Sequence, residues 1–385
     1  MDPERFDTTT TLVGCRRQGH DGRPWRFPVD GLSKRENATM PPEQGKGHEM
    51  SLEGSDFARD VAAAFETIAM DAAVAFEIGV DERGNFIDAR TGACNKTVVE
   101  NYSRMKHGDM DAVSFFAGHL AATSMHNERF VSFHRNAVAS ERVIYMTTVA
   151  VFNVPSASNL LLKTTAGHLN IMLTKKGLAP LVVAEQTRLS ESPLGYASTS
   201  VRERRNELAA GRGVTIVPEN FRDQSVIFLD DLFNSGYTIE RAERRLQDVN
   251  AADRFYLFAA RMDPRAVGAS ASTIEDRLND TFITGTLESV APMLKRGNFA
   301  VVQKLVKVTL DPKHTDQLPE FLQEIPTSSI LKLYCAAANN DYRRRYDRQF
   351  APSIAVLETV LQERGALDAA GHIIGAPVDR VAFPS

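Results

Sequence analysis

The feature that most constrains the fold is a buried strand that leads straight into two acidic residues and a short polar loop. Residues 226–229 are Val-Ile-Phe-Leu, an apolar run typical of a strand buried on both faces. Asp230 and Asp231 follow at once, and after the loop the apolar residues between 239 and 249 recur at helical spacing. The order strand, acidic pair, loop and helix predicts a parallel α/β sheet, in which ligands bind at the carboxyl ends of strands.

The loop after the acidic pair is suited to a phosphate group. Successive backbone N–H groups in front of a helix N-terminus can turn toward an anion. Gly236 permits the tight turn, and the hydroxyls of Ser235 and Thr238 add donors. Because like charges repel, Asp230 and Asp231 are suited to hydroxyls or, indirectly, to a cation. A phosphate beside vicinal hydroxyls indicates a sugar phosphate, whereas an ordinary α/β turn with two exposed acids is the alternative.

The string from Val226 to Thr238 resembles the phosphoribosyl pyrophosphate (PRPP) signature of type I phosphoribosyltransferases (PRTases). The resemblance implies that Asp230 and Asp231 are catalytic and bind the ribose 2- and 3-hydroxyls. It implies that the 5-phosphate is bound by the loop residues Asn234, Ser235, Gly236, Tyr237 and Thr238. It also implies Mg²⁺, held by pyrophosphate and ribose oxygens and by water, with no direct protein ligand.

One loop residue departs from the family members that act on 6-oxopurines. Those members have an Asp third after the acidic pair, where it approaches the base. Here the residue is Asn234, which cannot accept a proton. The departure argues against a hypoxanthine–guanine type of activity and leaves the acceptor unidentified.

A second string lies before the predicted core. Residues 102–109, Tyr-Ser-Arg-Met-Lys-His-Gly-Asp, are similar to a Tyr-Ser-Arg-Phe-Lys-aromatic-Gly-Asp segment in bacterial PRTase-like proteins of stress-response gene clusters. A ligand role for Arg104 or Lys106 is one interpretation. A capped helix start with a solvated Arg and Lys is the other, and the sequence leaves both open.

A pyrophosphate loop is expected at the end of the first core strand. Residues 143–154 are rich in β-branched residues and predict a strand, with a helix from about 160 to 176. The resemblance implies that the backbone amides of Ser156, Ala157 and Ser158 bind pyrophosphate. An ordinary strand-to-helix turn explains these residues equally well.

A mobile lid is expected over residues 189–212, where the family carries a loop that closes over PRPP. Positive charge on such a lid would stabilise the departing pyrophosphate. The candidates are Arg188 and Arg202, with Arg204 and Arg205 beside them. A surface helix with locally paired charges is the alternative.

Four regions are expected along the chain. They are a disordered tail at 1–50, a helical N-terminal region at 51–140, a PRTase-like α/β core at 141–265 and a helical C-terminal region at 266–385. Further predicted strands at 181–184, 214–217 and 255–260 alternate with helices. The fold class is therefore a doubly wound parallel sheet with helical additions at both ends.

Composition narrows the partners and the compartment. A net charge of −4 gives no reason to expect nucleic acid as the main partner. Cys15, Cys94 and Cys335 are widely spaced, which fits a reducing compartment and no zinc site. No apolar run reaches the roughly 18 residues of a membrane span, and no signal peptide is evident. We expect a cytoplasmic protein without a membrane partner, and a homodimer is one possible assembly.

Three function hypotheses follow. The first is a PRTase that transfers ribose 5-phosphate from PRPP to a small-molecule acceptor and releases pyrophosphate. The second is a PRPP- or nucleotide-sensing regulator that keeps the fold without turnover. The third is an enzyme of another reaction type on the same scaffold, such as a phosphorylase or hydrolase of ribosyl phosphates, because a fold alone does not fix a function.

Overall fold

A six-stranded sheet lies at the centre of the described chain. The computed structural model describes residues 62–63, 65–66, 68–188, 215–267 and 271–374. In chain order the strands are β1 (Ala72–Val80), β2 (Phe86–Asp88), β3 (Ile144–Thr148), β4 (Val182–Val183), β5 (Thr187–Arg188), β6 (Thr215–Ile216), β7 (Ser225–Phe233) and β8 (Asp253–Met262). The sheet order is β2-β1-β8-β7-β3-β4, and all neighbours are parallel except β1 and β2. The predicted, mostly parallel α/β sheet is confirmed.

Helices cover both faces of this sheet. In chain order they are α1 (Lys96–Lys106), α2 (Met110–His126), α3 (Glu128–Ala139), α4 (Ala157–Lys175), α5 (Tyr237–Asp248), α6 (Pro264–Val267), α7 (Ala271–Asn279), α8 (Leu287–Arg296), α9 (Gln303–Thr309), α10 (Leu318–Gln323), α11 (Thr327–Asn339) and α12 (Ala351–Glu363). Successive residues of β7 face opposite sides. Ile227 and Leu229 share a core with α2 and α4, whereas Phe228 packs with Ile239 and Ala242 of α5. None of the described helices is long and apolar enough to cross a membrane.

The N-terminal region contains a strand that the sequence interpretation missed. Residues 72–80 form β1, which runs parallel to β8, with Ala72 opposite Tyr256 and Ile78 opposite Met262. The helical spacing of the preceding residues ends where this strand begins, and β1 gains its backbone hydrogen bonds from β8. The expectation that residues 51–140 are helical is therefore wrong over β1, and the sheet extends beyond the predicted core.

The segment at 214–217, predicted as a strand of the parallel sheet, does not join that sheet over its described residues. Its described part, β6, pairs antiparallel with β5 in a separate two-stranded sheet. The reason lies in β7, whose two edges are already occupied by β3 and β8. No further strand can insert beside it.

The central strand is longer than predicted. The ladder with β8 continues past Leu229, with Asp230 opposite Phe258 and Leu232 opposite Ala260. Every residue of β7 is buried. The acidic pair consequently lies inside the strand rather than after it, because pairing with β8 holds the backbone extended as far as Phe233.

Helices α8 to α12 form an apolar core of their own, and the segment between α8 and α9 lies against the turn between α1 and α2. The N–H of Ala300 donates to the carbonyl of Gly108 at 3.0 Å, and the N–H of Met110 donates to the carbonyl of Asn298 at 3.3 Å. Gly108 has a φ of +90°, and a Cβ at this position would lie 2.1 Å from the carbonyl oxygen of Ala300. Only glycine meets both conditions. The turn thus fixes the C-terminal helices near the carboxyl end of the sheet.

Candidate active site

Asp230 and Asp231 lie buried in the central strand, with only 5% and 6% of their surface exposed. Oδ1 of Asp230 accepts the backbone N–H of Asp231 at 3.0 Å and the hydroxyl of Ser158 at 3.3 Å. Oδ2 of Asp231 lies 2.6 Å from Nζ of Lys106. The structure therefore brings together the predicted acidic pair, one residue of the predicted pyrophosphate loop and one residue of the 102–109 segment.

The two carboxyl groups differ in proton affinity. Burial, and then repulsion by Asp231, raises the pKa of Asp230 well above its usual value. Burial opposes the charge of Asp231 too, but the Lys106 ammonium outweighs it and lowers the pKa of Asp231. Burial would likewise lower the pKa of Lys106, yet the charges of Asp231 and Glu275 raise it. The pair thus consists of one carboxylate balanced by a cation and one carboxyl that binds a proton more readily.

Tyr102 of α1 lies beside Lys106 and the acidic pair. Its side chain is fully buried, and Nζ of Lys106, one helical turn later, lies 5.8 Å from its ring centroid. Burial, followed by the negative charges of Asp231, Glu275 and Asp230, raises the pKa of Tyr102 well above its usual value. The phenol therefore keeps its proton as a donor beside the acids.

The remaining residues of the 102–109 segment hold Lys106 in place. Asp109 caps α2 by accepting the N–H groups at 111 and 112. It also lies 2.8 Å from both Arg104 and Arg296. The capped helix start is thus correct for Asp109, whereas Arg104 and Lys106 are paired with acids instead of being solvated.

The predicted 5-phosphate loop connects β7 to α5. Gly236 has a φ of +73° and stands at the cap position of α5, which begins at Tyr237. The first N–H groups of a helix have no intrahelical acceptor, and the helix dipole favours an anion there. Ser235 and Thr238 are half-buried beside this turn. The left-handed Gly236 thus turns the chain directly into the N-terminus of α5.

In the predicted pyrophosphate loop, one of the three backbone N–H groups already has a hydrogen-bond acceptor within the loop. The N–H and hydroxyl of Ser156 both donate to Oδ1 of Asn159, at 2.9 and 2.8 Å. The Ser156 amide is therefore used within the turn, and its role in binding pyrophosphate stays a prediction. The amides of Ala157 and Ser158 belong to the first turn of α4.

A cavity of about 480 Å³ opens beside the site, between the segment after β3 and the C-terminal helices. It is lined by Lys106 and Ser156, by Arg188 at the end of β5, and by Lys304 and Lys307 of α9. Its volume falls within the roughly 300–1,000 Å³ of small-molecule pockets. The predicted Arg202 and the whole of the predicted lid at 189–212 lie outside the described residues.

Glu275 and Lys304 also lie at the site, although the sequence predicted only that they belong to the helical C-terminal region. Glu275 of α7 accepts a long hydrogen bond of 3.4 Å from the side-chain amide of Asn234, and it lines the cavity together with Lys304. Their local sequences are those of ordinary amphipathic helices. Among the residues outside the predicted loops, only Tyr102 and Lys106 lie in a recognisable motif, the 102–109 string.

Comparison with known proteins agrees with this geometry. The family model described as PRTase ComF-like matches residues 96–357, which is more than half of the chain. No curated protein matches the sequence significantly. The matched range contains the acidic pair, both loops and most of the C-terminal helices, and it confirms the type I PRTase-like resemblance. The chain therefore belongs to the PRTase ComF-like family.

Proposed function

We propose that this protein is a magnesium-dependent phosphoribosyltransferase that transfers ribose 5-phosphate from PRPP to a small-molecule acceptor and releases pyrophosphate. The observation that carries the proposal is the buried pair Asp230–Asp231 in β7. The N-terminus of α4 contacts this pair through Ser158, and the N-terminus of α5 follows it directly. Two helix N-termini beside two carboxyls suit the phosphate groups and the hydroxyls of PRPP.

In this proposal each element has one task. The ribose hydroxyls donate to Asp230 and Asp231, and the 5-phosphate binds the loop from Asn234 to Thr238. The pyrophosphate binds the first-turn amides of α4, with Arg188 and Arg202 as further cations. Lys106, which lines the cavity, would turn its ammonium from Asp231 toward the leaving pyrophosphate. Groups placed in advance where negative charge develops lower the barrier most effectively.

The residues present fit a magnesium ion carried by the substrate. Asp230, Asp231 and Glu275 gather carboxylate oxygens near the cavity, and Mg²⁺ prefers such oxygen ligands, often through water. Among the described residues no group of three or more His, Cys, Asp or Glu could hold a metal by itself. When bound, the ion would neutralise charge on the pyrophosphate.

Calorimetry of PRPP binding in the presence of Mg²⁺ tests the proposal. The wild type should bind PRPP, and Asp230→Asn/Asp231→Asn should not. Absence of binding by the wild type would falsify the proposal. Binding without pyrophosphate release, for every acceptor tried, would instead favour the sensing regulator.

A further inference from the structure

The loop between β3 and α4 is hydrogen-bonded to residues about 150–190 positions further along the chain. The N–H of Val154 donates to Oδ1 of Asn340 at 3.2 Å, and the carbonyl of Val154 accepts the side-chain amide of Gln303, also at 3.2 Å. The carbonyl of Pro155 accepts the backbone N–H of Gln303 at 3.1 Å. Because proline has no N–H, these three bonds satisfy every backbone polar group of the two residues that precede Ser156.

The side chains of this loop contact the same C-terminal region. Val154 is 3% exposed and belongs to the apolar core of α8 to α12. The side-chain amide of Asn153 donates to the carbonyl of Asn339 at 2.6 Å. The guanidinium carbon of Arg345 lies 4.7 Å from the ring centroid of Phe152, close enough for a cation–π contact. The loop is therefore held by the C-terminal region through both its backbone and its side chains.

Asn340 holds Val154 from a fixed position. It follows the last residue of α11, and its side chain is fully buried. Its Nδ2 donates to the hydroxyl of Tyr342 at 3.2 Å, and Tyr342 is fully buried too. The two ends of the amide thus have different partners, which fixes the direction of Oδ1. A buried N–H needs its acceptor, because leaving it unpaired is costly. Val154 is consequently held where Asn340 can accept its N–H.

The position of this loop determines where the first turn of α4 lies. Ser156 is the cap of α4, one residue after Pro155, and the amides of Ala157 and Ser158 belong to the first turn. The hydroxyl of Ser158 donates to Asp230 at 3.3 Å, so this turn lies against the acidic pair. Helix N-terminal amides bind an anion only when they point at it. A shift of the loop would move them away from the pyrophosphate of a bound donor.

We infer that Asn340 is a positioning residue for pyrophosphate binding, because it fixes, through Val154, the loop that leads into α4. This inference rests on the proposed function. It gives the C-terminal helices a part in the site, since they set the direction of the amides that receive the leaving group. The effect is selective. Loss of the contact should weaken binding at the pyrophosphate end of the donor and spare the 5-phosphate end, which the proposed function assigns to the turn between β7 and α5.

Calorimetry with two separate ligands tests this role. Asn340→Leu keeps the approximate size of the side chain and removes the acceptor for Val154. Its affinity for pyrophosphate with Mg²⁺ should fall about tenfold or more, since a small misplacement of positioned groups is costly. Its affinity for ribose 5-phosphate should stay within about twofold of the wild type, because distant groups act independently. An equal loss for both ligands, or no loss for pyrophosphate, overturns the inference.

Ser329→Ala is the matched control for a general loss of stability. Ser329 is buried in the same helix, α11, and its hydroxyl donates to the carbonyl of Leu294 at 2.8 Å, within the C-terminal core. The substitution removes one buried hydrogen bond and leaves the contact between Asn340 and Val154 in place. This variant should bind pyrophosphate like the wild type. A loss as large as that of Asn340→Leu would assign the effect to stability and contradict the positioning role.

Hydrogen exchange tests the contact without a ligand. Peptides that cover residues 150–158 should exchange faster in Asn340→Leu than in the wild type or Ser329→Ala, while β7 keeps its protection. Unchanged exchange of these peptides overturns the inference. If Asn340→Leu does not fold, Asn340→Ser is the second variant, because its shorter side chain withdraws the acceptor without adding an apolar group. Failure of the wild type to bind PRPP, pyrophosphate and ribose 5-phosphate is a separate result, which overturns the proposed function.

Discussion

Nζ of Lys106 lies 2.6 Å from Oδ2 of Asp231, although the two residues are 125 positions apart in the chain. The contact joins the end of α1 to the central strand, and both side chains are largely buried. A buried ion pair needs its partner, because removing one charge leaves the other uncompensated. Lys106 therefore decides the charge state of the ribose-binding carboxyls in the proposed site.

Lys106→Met should weaken PRPP binding at least tenfold, which corresponds to about 1.4 kcal/mol. Without the ammonium, the buried acids bind a proton more readily and offer fewer acceptors to the ribose. Calorimetry with Mg²⁺ measures the effect. Lys163→Met is the control, because Lys163 is exposed and pairs with Glu185. Equal affinities of the two variants would show that Lys106 has no part in binding.

Asp230→Asn and Asp231→Asn should have different effects on stability at neutral pH. Asn imitates the protonated form that burial and Asp231 favour at position 230, so the melting temperature of Asp230→Asn should rise or stay unchanged. At position 231 the substitution leaves Lys106 without its carboxylate, which costs about 3–5 kcal/mol for a buried pair. Thermal unfolding of both variants checks the sign, and a loss of equal size in both would contradict the pKa assignment.

Gly108→Ala should destabilise the protein by about 2 kcal/mol or more, through strain of a kind that makes large mutational effects. The added Cβ would meet the carbonyl of Ala300 at 2.1 Å, and φ is +90°. Gly118→Ala is the control, since this glycine lies inside α2 with no atom within 4 Å of an added Cβ. It should stabilise by roughly 0.5–1 kcal/mol. Denaturant unfolding distinguishes the two.

His107 should make stability depend on pH between about 4 and 6.5. Burial, followed by the charge of Lys304, lowers the pKa of His107 to about 4. The unfolded chain then binds more protons than the folded one over this range. Stability is therefore full above the unfolded pKa and falls on acidification, by roughly 3 kcal/mol in total.

His107→Asn isolates this effect, because the contributions of the acids cancel between variant and wild type. The difference in unfolding free energy between the two proteins should shrink or reverse as pH falls from 7 to 4. A constant difference across that range would show that His107 does not titrate on unfolding.

Much of the fold and part of the site could be predicted from local sequence. The apolar run at 226–229 indicated the central strand, because it is short, lacks polar alternation and is followed at once by an acidic pair and a polar loop. The glycine and small polar residues at 234–238 indicated an anion loop, because they permit a tight turn whose backbone N–H groups precede a helix. The strand β1 was missed, since a short apolar segment has no period that separates strand from helix.

By itself, the sequence determined the elements whose chemistry is local: the strand that carries Asp230 and Asp231, the turn at Gly236 and the helix behind it. Only the tertiary structure decided which distant residues join them. Lys106 reaches Asp231 because Gly108 and Asp109 fix the end of α1 against the C-terminal helices. Glu275 reaches Asn234 because α7 packs over the same edge of the sheet. Such contacts depend on packing between segments far apart in the chain, which no local pattern records.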